Sequence, residues 1–379
     1  MRIADFALER YFAKWEFAVK HVLCGSDVEG WSMADLLALA DDETRSMWSG
    51  LKLGYTESNG HPLLRAEIAE LYDSIEADDM LVFSGAEEAI FCLLSTSLQE
   101  GNHVIVTWPG YQSLYELARA AGTQVSLHAL REEDDWSLDV DRLVRSFRPE
   151  TRMVVVNAPH NPTGMLPSEA EWRRLASACA AAGIRLVSDE VYRFLEHDGA
   201  GTLPAGADLD EQAVSIGVMS KSFAMAGLRI GWLATRDRAV LDRCARFKDY
   251  TTICSSAPSE VLALIGLRAR ERVLARSRSI VAANLATLDD FFARRSDVFT
   301  WIRPRGGSTA FPRLVPDGPA GRSADAFAAR LVEATGVLLL PSSTFGSGDA
   351  HVRIGLGRAD LPTAMEAIDS YLRSPVSSR

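Results

Sequence analysis

The chain has 379 residues, of which 47% are hydrophobic and 24% charged, the composition of an ordinary globular protein. Its length exceeds what a single hydrophobic core usually serves, so we expect two subdomains. The net charge of −11, with no stripe of Lys and Arg along the chain, argues against nucleic acid as a partner.

The N-terminus, Met1 to Asp5, lacks a charged start followed by an apolar run, so no signal peptide is predicted. The longest apolar stretches are too short or too interrupted to span a bilayer, and no membrane partner is expected. Five scattered cysteines without a Cys-x-x-Cys pair predict neither a disulfide framework nor a zinc site. The sequence therefore predicts a cytoplasmic protein without a bound metal.

From about Val82 onward, short apolar runs alternate with amphipathic stretches, which indicates an α/β protein. Because the runs are almost continuously apolar, they predict a mostly parallel central sheet, buried on both faces and flanked by helices. The predicted strands are Met80–Phe83, His103–Val106, Val125–His128, Met153–Val156, Ile184–Val187 and Ala213–Ile216. Between them, Ser168 is predicted to cap a helix that Gly183 ends.

The C-terminal third has a different organisation. A long helical stretch, predicted from Pro258 to Arg295, leaves the sheet domain, and two strand-like runs follow at 336–340 and 351–355. The N-terminal residues have no place in the sheet pattern. We therefore predict an N-terminal segment, 1–48, that packs on the small domain, a large ligand-binding domain, 49–275, and a smaller α/β C-terminal domain, 276–379.

Polar residues follow two of the predicted strands, where open α/β sheets bind ligands. Two prolines, two asparagines and a glycine within 157–164 predict a tight turn that aims Asn161 at a ligand, although the turn could serve shape alone. Asp189 ends the next strand, where a buried acid needs a cation, unless it only caps a helix. Tyr192 could direct its hydroxyl to the same ligand.

Two further segments complete the candidate binding site, one around Lys221 and one at the turn that contains Gly85. The chain has only five lysines against 35 arginines (40 Lys and Arg minus 5), so Lys221 among Ser, Met and Phe indicates that an amine is required. An exposed lysine is the ordinary alternative. Arg229, eight residues later, suits a phosphate. Gly85, between a strand and a helix start, would present backbone N–H groups to an anion, a weak signal by itself.

Together these segments resemble the class I/II aminotransferases, the aspartate-aminotransferase-like family of pyridoxal 5′-phosphate (PLP) enzymes of fold type I. The resemblance extends from about Leu53 to Gly357. It rests on motifs in family order: Asn-x-x-x-Asn-Pro-Thr-Gly at 157–164, Asp-Glu-x-Tyr at 189–192, Ser-Lys at 220–221 with Gly-x-Arg-x-Gly at 227–231, Leu53 to Gly60 running into Leu64-Arg65, and Val352–Gly355.

The resemblance implies a role for each matched residue. Lys221 would hold PLP as a Schiff base, Asp189 would pair with the pyridinium nitrogen, and Lys221, Asp189 and Tyr192 would form the catalytic set. Arg353 would bind the substrate α-carboxylate with bidentate geometry. The remaining implied contacts are Asn161 and Tyr192 to the ring hydroxyl, Asn161 also to substrate, Tyr111 stacked on the ring, Gly85, Ala86, Glu87, Ser220 and Arg229 at the phosphate, and Tyr55 reaching the neighbouring subunit's cofactor in a homodimer.

Two positions depart from the family pattern. Many relatives have a serine three residues before the lysine, where this chain has Val218, so the phosphate would rely more on Arg229, backbone amides and Ser220 or Ser222. Glu87 occupies a phosphate-loop position that a small hydroxyl residue often holds. We expect its side chain to point away from the phosphate.

The predicted function is an aminotransferase that moves the amino group of an undetermined amino acid to a 2-oxo acid. The alternative is elimination, replacement or ring closure, as in capreomycidine-synthase-like cyclases, because all begin by removing the Cα proton. A ligand-sensing module is less favoured, since no basic helix-turn-helix segment is present. Acids in the N-terminal segment, Glu16, Asp27 and Glu29, could contact a basic substrate, but are interpreted as surface acids of an acidic protein.

Overall fold

The computed structural model describes residues 2–374 and has a seven-stranded central sheet in the order β1-β7-β6-β5-β4-β2-β3. Its strands are β1 (Met80–Phe83), β2 (His103–Trp108), β3 (Gln124–Ala129), β4 (Thr151–Asn157), β5 (Arg185–Asp189), β6 (Val214–Val218) and β7 (Gly231–Ala234). Strands β2 to β6 pair in parallel, whereas β7 is antiparallel to both β1 and β6. The predicted α/β class with a mostly parallel sheet is confirmed.

The sheet is buried on both faces, and β4 shows why its sequence is so apolar. Met153 and Val155 belong to one hydrophobic cluster, whereas Val154 and Val156 belong to another. Successive side chains of a strand point to opposite faces, so a strand covered on both sides needs an apolar residue at every position. The six strand predictions rest on this pattern. The seventh strand, β7, was not predicted because it opens on Gly231, which interrupts the apolar run expected of a buried strand.

Helices surround the sheet and build the C-terminal part. They are α1 (Ala7–Trp15), α2 (Met33–Leu37), α3 (Asp42–Ser49), α4 (Pro62–Ala69), α5 (Ala86–Ser97), α6 (Ser113–Ala120), α7 (Val140–Arg145), α8 (Glu169–Ala181), α9 (Gly206–Leu209), α10 (Arg238–Lys248), α11 (Ala257–Arg268), α12 (Arg270–Arg294), α13 (Ala324–Thr335) and α14 (Leu361–Leu372). No helix between residues 2 and 374 is both long and apolar enough to cross a bilayer.

Local sequence explains several helix ends. Ser168 and Glu171 form a reciprocal capping box at the start of α8, and Gly183 follows its end with φ +64°. The single long helix predicted from Pro258 to Arg295 is instead two helices, α11 and α12. They are separated at Ala269, whose φ of −94° and ψ of 18° leave the helical region.

The C-terminal part has its own hydrophobic cluster beneath α12, α13 and α14, and short strands β8 (Phe299–Thr300), β9 (Thr309–Ala310), β10 (Arg313–Leu314), β11 (Leu340–Pro341) and β12 (Val352–Gly355). The predicted strand at 336–340 contributes only its last residue to β11. Gly336 instead ends α13 in the left-handed region, with φ +71°, and cannot begin a strand.

The N-terminal segment divides between the two halves of the molecule. Its first part crosses the C-terminal half, where the Gly355 N–H donates to Leu23 O (2.6 Å) and the Leu338 N–H donates to His21 O (2.9 Å). Helices α2 and α3 pack instead against α11. The segment therefore connects the two halves along one side of the space between them, while the predicted domain boundaries stay predictions.

Candidate active site

A cavity of about 390 Å³ lies at the carboxyl ends of β4, β5 and β6, between the sheet, the N-terminal segment and β12. Ten of the twelve predicted site residues line it: Ala86, Glu87, Tyr111, Asn161, Asp189, Tyr192, Ser220, Lys221, Arg229 and Arg353. Gly85 lies beside it at the start of α5. Tyr55 does not line it and is 91% exposed on the surface.

The ends of β4 and β5 are joined by Asn157, which was not among the predicted site residues. Asn157 is the register partner of Asp189, its Nδ2 donates to Asp189 O (2.9 Å), and its Oδ1 accepts the backbone N–H of Asn161 (2.7 Å). One amide side chain therefore connects the strand that carries Asp189 to the turn that carries Asn161. Its position directly after an apolar strand was the available signal.

Asp189 is a buried carboxyl at the floor of the cavity, with 4% of its surface exposed. Burial raises its pKa from 3.8 to about 7, although the backbone N–H of Val191 and the positive charge of Lys221 both oppose that rise. A cation facing this carboxyl would stabilise its charged form. The environment of Asp189 thus suits a ligand that presents a protonated ring nitrogen.

Lys221 follows β6 and extends into the cavity beside Tyr192. Its Nζ donates a hydrogen bond to Ser26 Oγ (2.8 Å) and lies 5.9 Å from the centroid of the Tyr192 ring. Ser26 comes from the N-terminal segment and was missed by sequence reasoning. Among residues 2–374, no cluster of His, Cys, Asp and Glu could hold a metal ion beside this amine or elsewhere.

One corner of the cavity combines a helix N-terminus with a guanidinium. Helix α5 begins at Ala86 without a side-chain cap, because its N-cap is Gly85 with φ +93°. A side chain at Gly85 would clash with the Arg229 guanidinium, and one at Gly231 would clash with the backbone of Ala86. These two glycines let Arg229 and the first turn of α5 lie close to each other at this corner of the cavity. A guanidinium and free backbone N–H groups at a helix N-terminus are both suited to binding a phosphate.

Glu87, in the first turn of α5, accepts a hydrogen bond from the Ser113 hydroxyl of α6. Its other carboxylate oxygen, Oε2, is buried and has no hydrogen-bond partner among residues 2–374. Burial raises the pKa of Glu87, which favours its neutral form next to an anion. Val218, three residues before Lys221, lines the cavity without a polar group, and Ser220 is the nearby hydroxyl that also lines it.

Arg353 closes the opposite side of the cavity and is 1% exposed. Its Nε and Nη2 donate to Cys24 O (3.1 and 2.8 Å), and its Nη1 donates to Asn161 Oδ1 (3.0 Å). Burial lowers the pKa of its guanidinium. The fork is thus held in one orientation, and among residues 2–374 no carboxylate forms an ion pair with it, as a site for an incoming carboxylate requires.

The acids of the N-terminal segment were interpreted from the sequence as surface residues, and the structure bears this out for only some of them. Glu16 and Asp27 line the cavity, as does Glu9, which the sequence did not single out. Glu29 lies outside it and accepts the backbone N–H of Ala359. The interpretation of all three predicted acids as surface residues is therefore wrong for Glu16 and Asp27, because the path of the segment across β12 turns them inward.

The family model for aminotransferase class I and II matches residues 39–368 of this chain. The chain belongs to this family. It is 30% identical to the arginine–pyruvate transaminase of Pseudomonas aeruginosa over 318 residues, covering 80% of this chain and 77% of that one. It is 29% identical to the capreomycidine synthase of Streptomyces vinaceus over 381 residues, covering 100% and 95%.

Solved structures of the family agree with this membership. A PLP-dependent aminotransferase from Streptococcus suis superimposes with a TM-score of 0.91 at 28% identity, covering 98% of each chain. The PLP-dependent cyclase OrfR superimposes with a TM-score of 0.90, also at 28% identity and 98% coverage of each chain. The predicted family, the enzyme class and the cofactor, PLP, are confirmed.

The residues that line the cavity fit PLP. Asp189 could face the pyridine nitrogen, and Gly85, Ala86 and Arg229 could hold the phosphate, since α5 begins at Gly85 without a side-chain cap and the Arg229 guanidinium lies beside that glycine. The amine of Lys221 lies in the same cavity. Tyr111 and Tyr192 offer aromatic and hydroxyl groups along its walls.

Proposed function

We propose that this enzyme is an aminotransferase that moves the amino group of an amino acid to a 2-oxo acid. The observation that carries the proposal is one cavity containing a free amine, Lys221, a buried carboxyl, Asp189, and a buried guanidinium, Arg353. Transamination needs each of these groups, and two of the four relatives named above are aminotransferases. Family frequency is an argument by analogy, so the reaction type is tested directly below.

The residues have separate tasks in this proposal. PLP, when bound, supplies a protonated ring that accepts the electron pair released when a Cα bond breaks. Asp189, in its charged form, would hold that ring nitrogen protonated, and Asn161 and Tyr192 would donate to the ring hydroxyl. Lys221, as a free amine, takes the Cα proton of the substrate and holds it for the next proton transfer. Gly85, Ala86, Glu87, Ser220 and Arg229 would hold the phosphate, and Tyr111 would stack on the ring.

Arg353→Lys should raise the KM for the amino acid at least about tenfold, because a point charge replaces a planar fork that binds both carboxylate oxygens. PLP content should not change, since Arg353 lies apart from the phosphate corner. Steady-state kinetics and the cofactor absorbance measure the two quantities. A variant that loses PLP while keeping normal substrate affinity would assign Arg353 to the phosphate instead.

We further propose that the substrate has a cationic side chain. Glu9, Glu16 and Asp27 lie together on the part of the cavity that the N-terminal segment contributes. Burial and then the charges of Asp27 and Glu9 raise the pKa of Glu16, so these carboxylates repel one another. Asp27 pairs with Arg358 (2.7 Å), and no ion pair within residues 2–374 engages the other two. A cation would relieve this repulsion, and one relative is named for arginine.

A substrate panel tests this choice. Arginine and lysine should react with a kcat/KM at least about tenfold above leucine or aspartate, since an added carboxylate contact is worth about 1.4 kcal/mol. Glu16→Gln should reduce that preference without affecting neutral amino acids. Glu29→Gln is the matched control, because Glu29 lies in the same segment but outside the cavity. A preference for leucine or aspartate in the wild-type enzyme would contradict the proposal.

Ring closure is the second candidate, and one observation favours it. The match to the capreomycidine synthase extends over the whole chain, farther than the match to the arginine–pyruvate transaminase. Given an amino acid without an acceptor, a transaminase releases one equivalent of 2-oxo acid per active site and then stops. Adding a 2-oxo acid then restarts it. Many turnovers without an acceptor would instead establish ring closure, if no 2-oxo acid forms, or elimination, if each turnover releases a 2-oxo acid and ammonia.

We also propose a homodimer in which Tyr55 contacts the partner subunit's cofactor. Tyr55 is 91% exposed in the isolated chain, and neighbouring Leu53 is 87% exposed. Large exposed apolar side chains on one loop are typical of a surface that a partner covers. Light scattering in solution should give twice the 41.4-kDa chain mass. A monomer with full activity would exclude this role for Tyr55.

A further inference from the structure

The closest polar partner of the Lys221 amine is a hydroxyl from a distant part of the chain. Lys221 Nζ donates to Ser26 Oγ at 2.8 Å, across 195 positions of sequence. Within residues 2–374, this is the one hydrogen bond described for that amine. Ser26 therefore supplies the amine with a polar contact from outside the loop that carries the lysine.

The backbone around Ser26 is held by close packing on the C-terminal half. The Ser308 hydroxyl donates to Ser26 O (2.7 Å). A side chain at Gly355 would clash with Gly25 O, and one at Gly357 would clash with Asp27 O. The segment therefore lies directly on the backbone that follows Arg353. Ser26 cannot move away from Lys221 without separating the N-terminal segment from that backbone.

An amine that takes a proton from carbon needs its lone pair directed at that carbon. A neutral lysine amine has two N–H bonds and one lone pair at the end of four rotatable side-chain bonds, so its lone pair has no preferred orientation by itself. A fixed acceptor on one side of the nitrogen reduces this freedom. Ser26 and Arg353 line the same cavity as Lys221, so a substrate whose carboxylate is bound by Arg353 would share that cavity with the restrained amine.

We propose that Ser26 is a positioning residue for the released amine of Lys221. Whenever the amine of Lys221 is free, the Ser26 hydroxyl accepts one of its N–H bonds, as it does in this structure. The lone pair of Nζ then faces the Cα hydrogen. The Cα–H bond breaks, a new N–H bond forms on Lys221, and the electron pair passes to the cofactor ring. The inference rests on the proposed role of Lys221 as proton carrier, and it holds for either amino transfer or ring closure.

Hydrogen exchange at the substrate Cα tests this step. In deuterium oxide, Ser26→Ala should exchange the α-hydrogen roughly tenfold more slowly than the wild type at saturating substrate, since a hydrogen bond to a charged or basic nitrogen is lost. KM, PLP content and the melting temperature should change little. Ser26→Thr, which keeps the hydroxyl, should restore most of the rate. Ser32→Ala, in the same segment but outside the cavity, should exchange at the wild-type rate.

The apoenzyme provides a readout that needs neither cofactor nor product. An amine-directed reagent, mapped by mass spectrometry, should label Lys221 of Ser26→Ala at least about threefold faster than Lys221 of the wild type, because its amine is no longer restrained. Exposed Lys52 is the internal control. Exchange within twofold of wild type, or unchanged labelling of Lys221, would overturn the inference. A wild-type enzyme that exchanges no α-hydrogen but shows the labelling difference would contradict the proposed reaction while supporting the contact with Ser26.

Discussion

Lys221→Ala should lower turnover by at least about 10⁴-fold and abolish the covalent, borohydride-reducible attachment of PLP. The alanine removes both the group that attaches the cofactor and the base that moves the Cα proton. The measurements are kcat and mass spectrometry of the reduced protein. In the wild type, the label should appear on Lys221 alone.

Two other lysines, Lys248 and Lys52, serve as controls for the assignment of the cofactor to Lys221. Lys248 is buried, and its amine donates to the backbone oxygens of Ser58 and Ile253, away from the cavity. Lys52 is exposed near Tyr55. Lys52→Ala should therefore behave as the wild type. A label on Lys52 or Lys248 in the reduced wild-type protein would contradict the assignment.

Asp189→Ala should retain some PLP but lose most Cα deprotonation, because the ring nitrogen would no longer be held protonated. Asp189→Asn preserves the shape of the side chain and should be impaired to a similar degree, which separates charge from packing. Exchange of the substrate α-hydrogen measures the step directly. A rate within about tenfold of wild type, or about 1.4 kcal/mol of barrier, would show that the role is misassigned.

The same carboxyl should leave a signature in the stability of the apoprotein. Burial raises the pKa of Asp189 from 3.8 to about 7, so between these values the folded chain binds a proton that the unfolded chain does not. Its stabilising contribution is complete below the unfolded pKa and is lost as the pH rises through the folded pKa. Urea unfolding across this range should show a free energy that falls with pH, and Asp189→Asn should flatten that slope.

Much of the fold follows from local patterns in the chain. The strand β4 is recognisable because every position between Met153 and Val156 faces a packed layer. The capping box at Ser168 and the left-handed Gly183 mark the ends of α8 for equally local reasons. The break at Ala269 was missed because no proline or glycine marks it, and the antiparallel β7 was missed because Gly231 interrupts its apolar run.

The sequence by itself determined the family, the cofactor and the key side chains Lys221, Asp189 and Arg353, because each lies in a short motif directly after a strand or within one. Only the tertiary structure decided what surrounds them. Ser26 contacts Lys221, and Cys24 O accepts two hydrogen bonds from Arg353, although the partners lie 195 and 329 positions apart. Such contacts depend on how the N-terminal segment crosses β12, and its path follows from packing between distant backbones. No local propensity or motif encodes that packing.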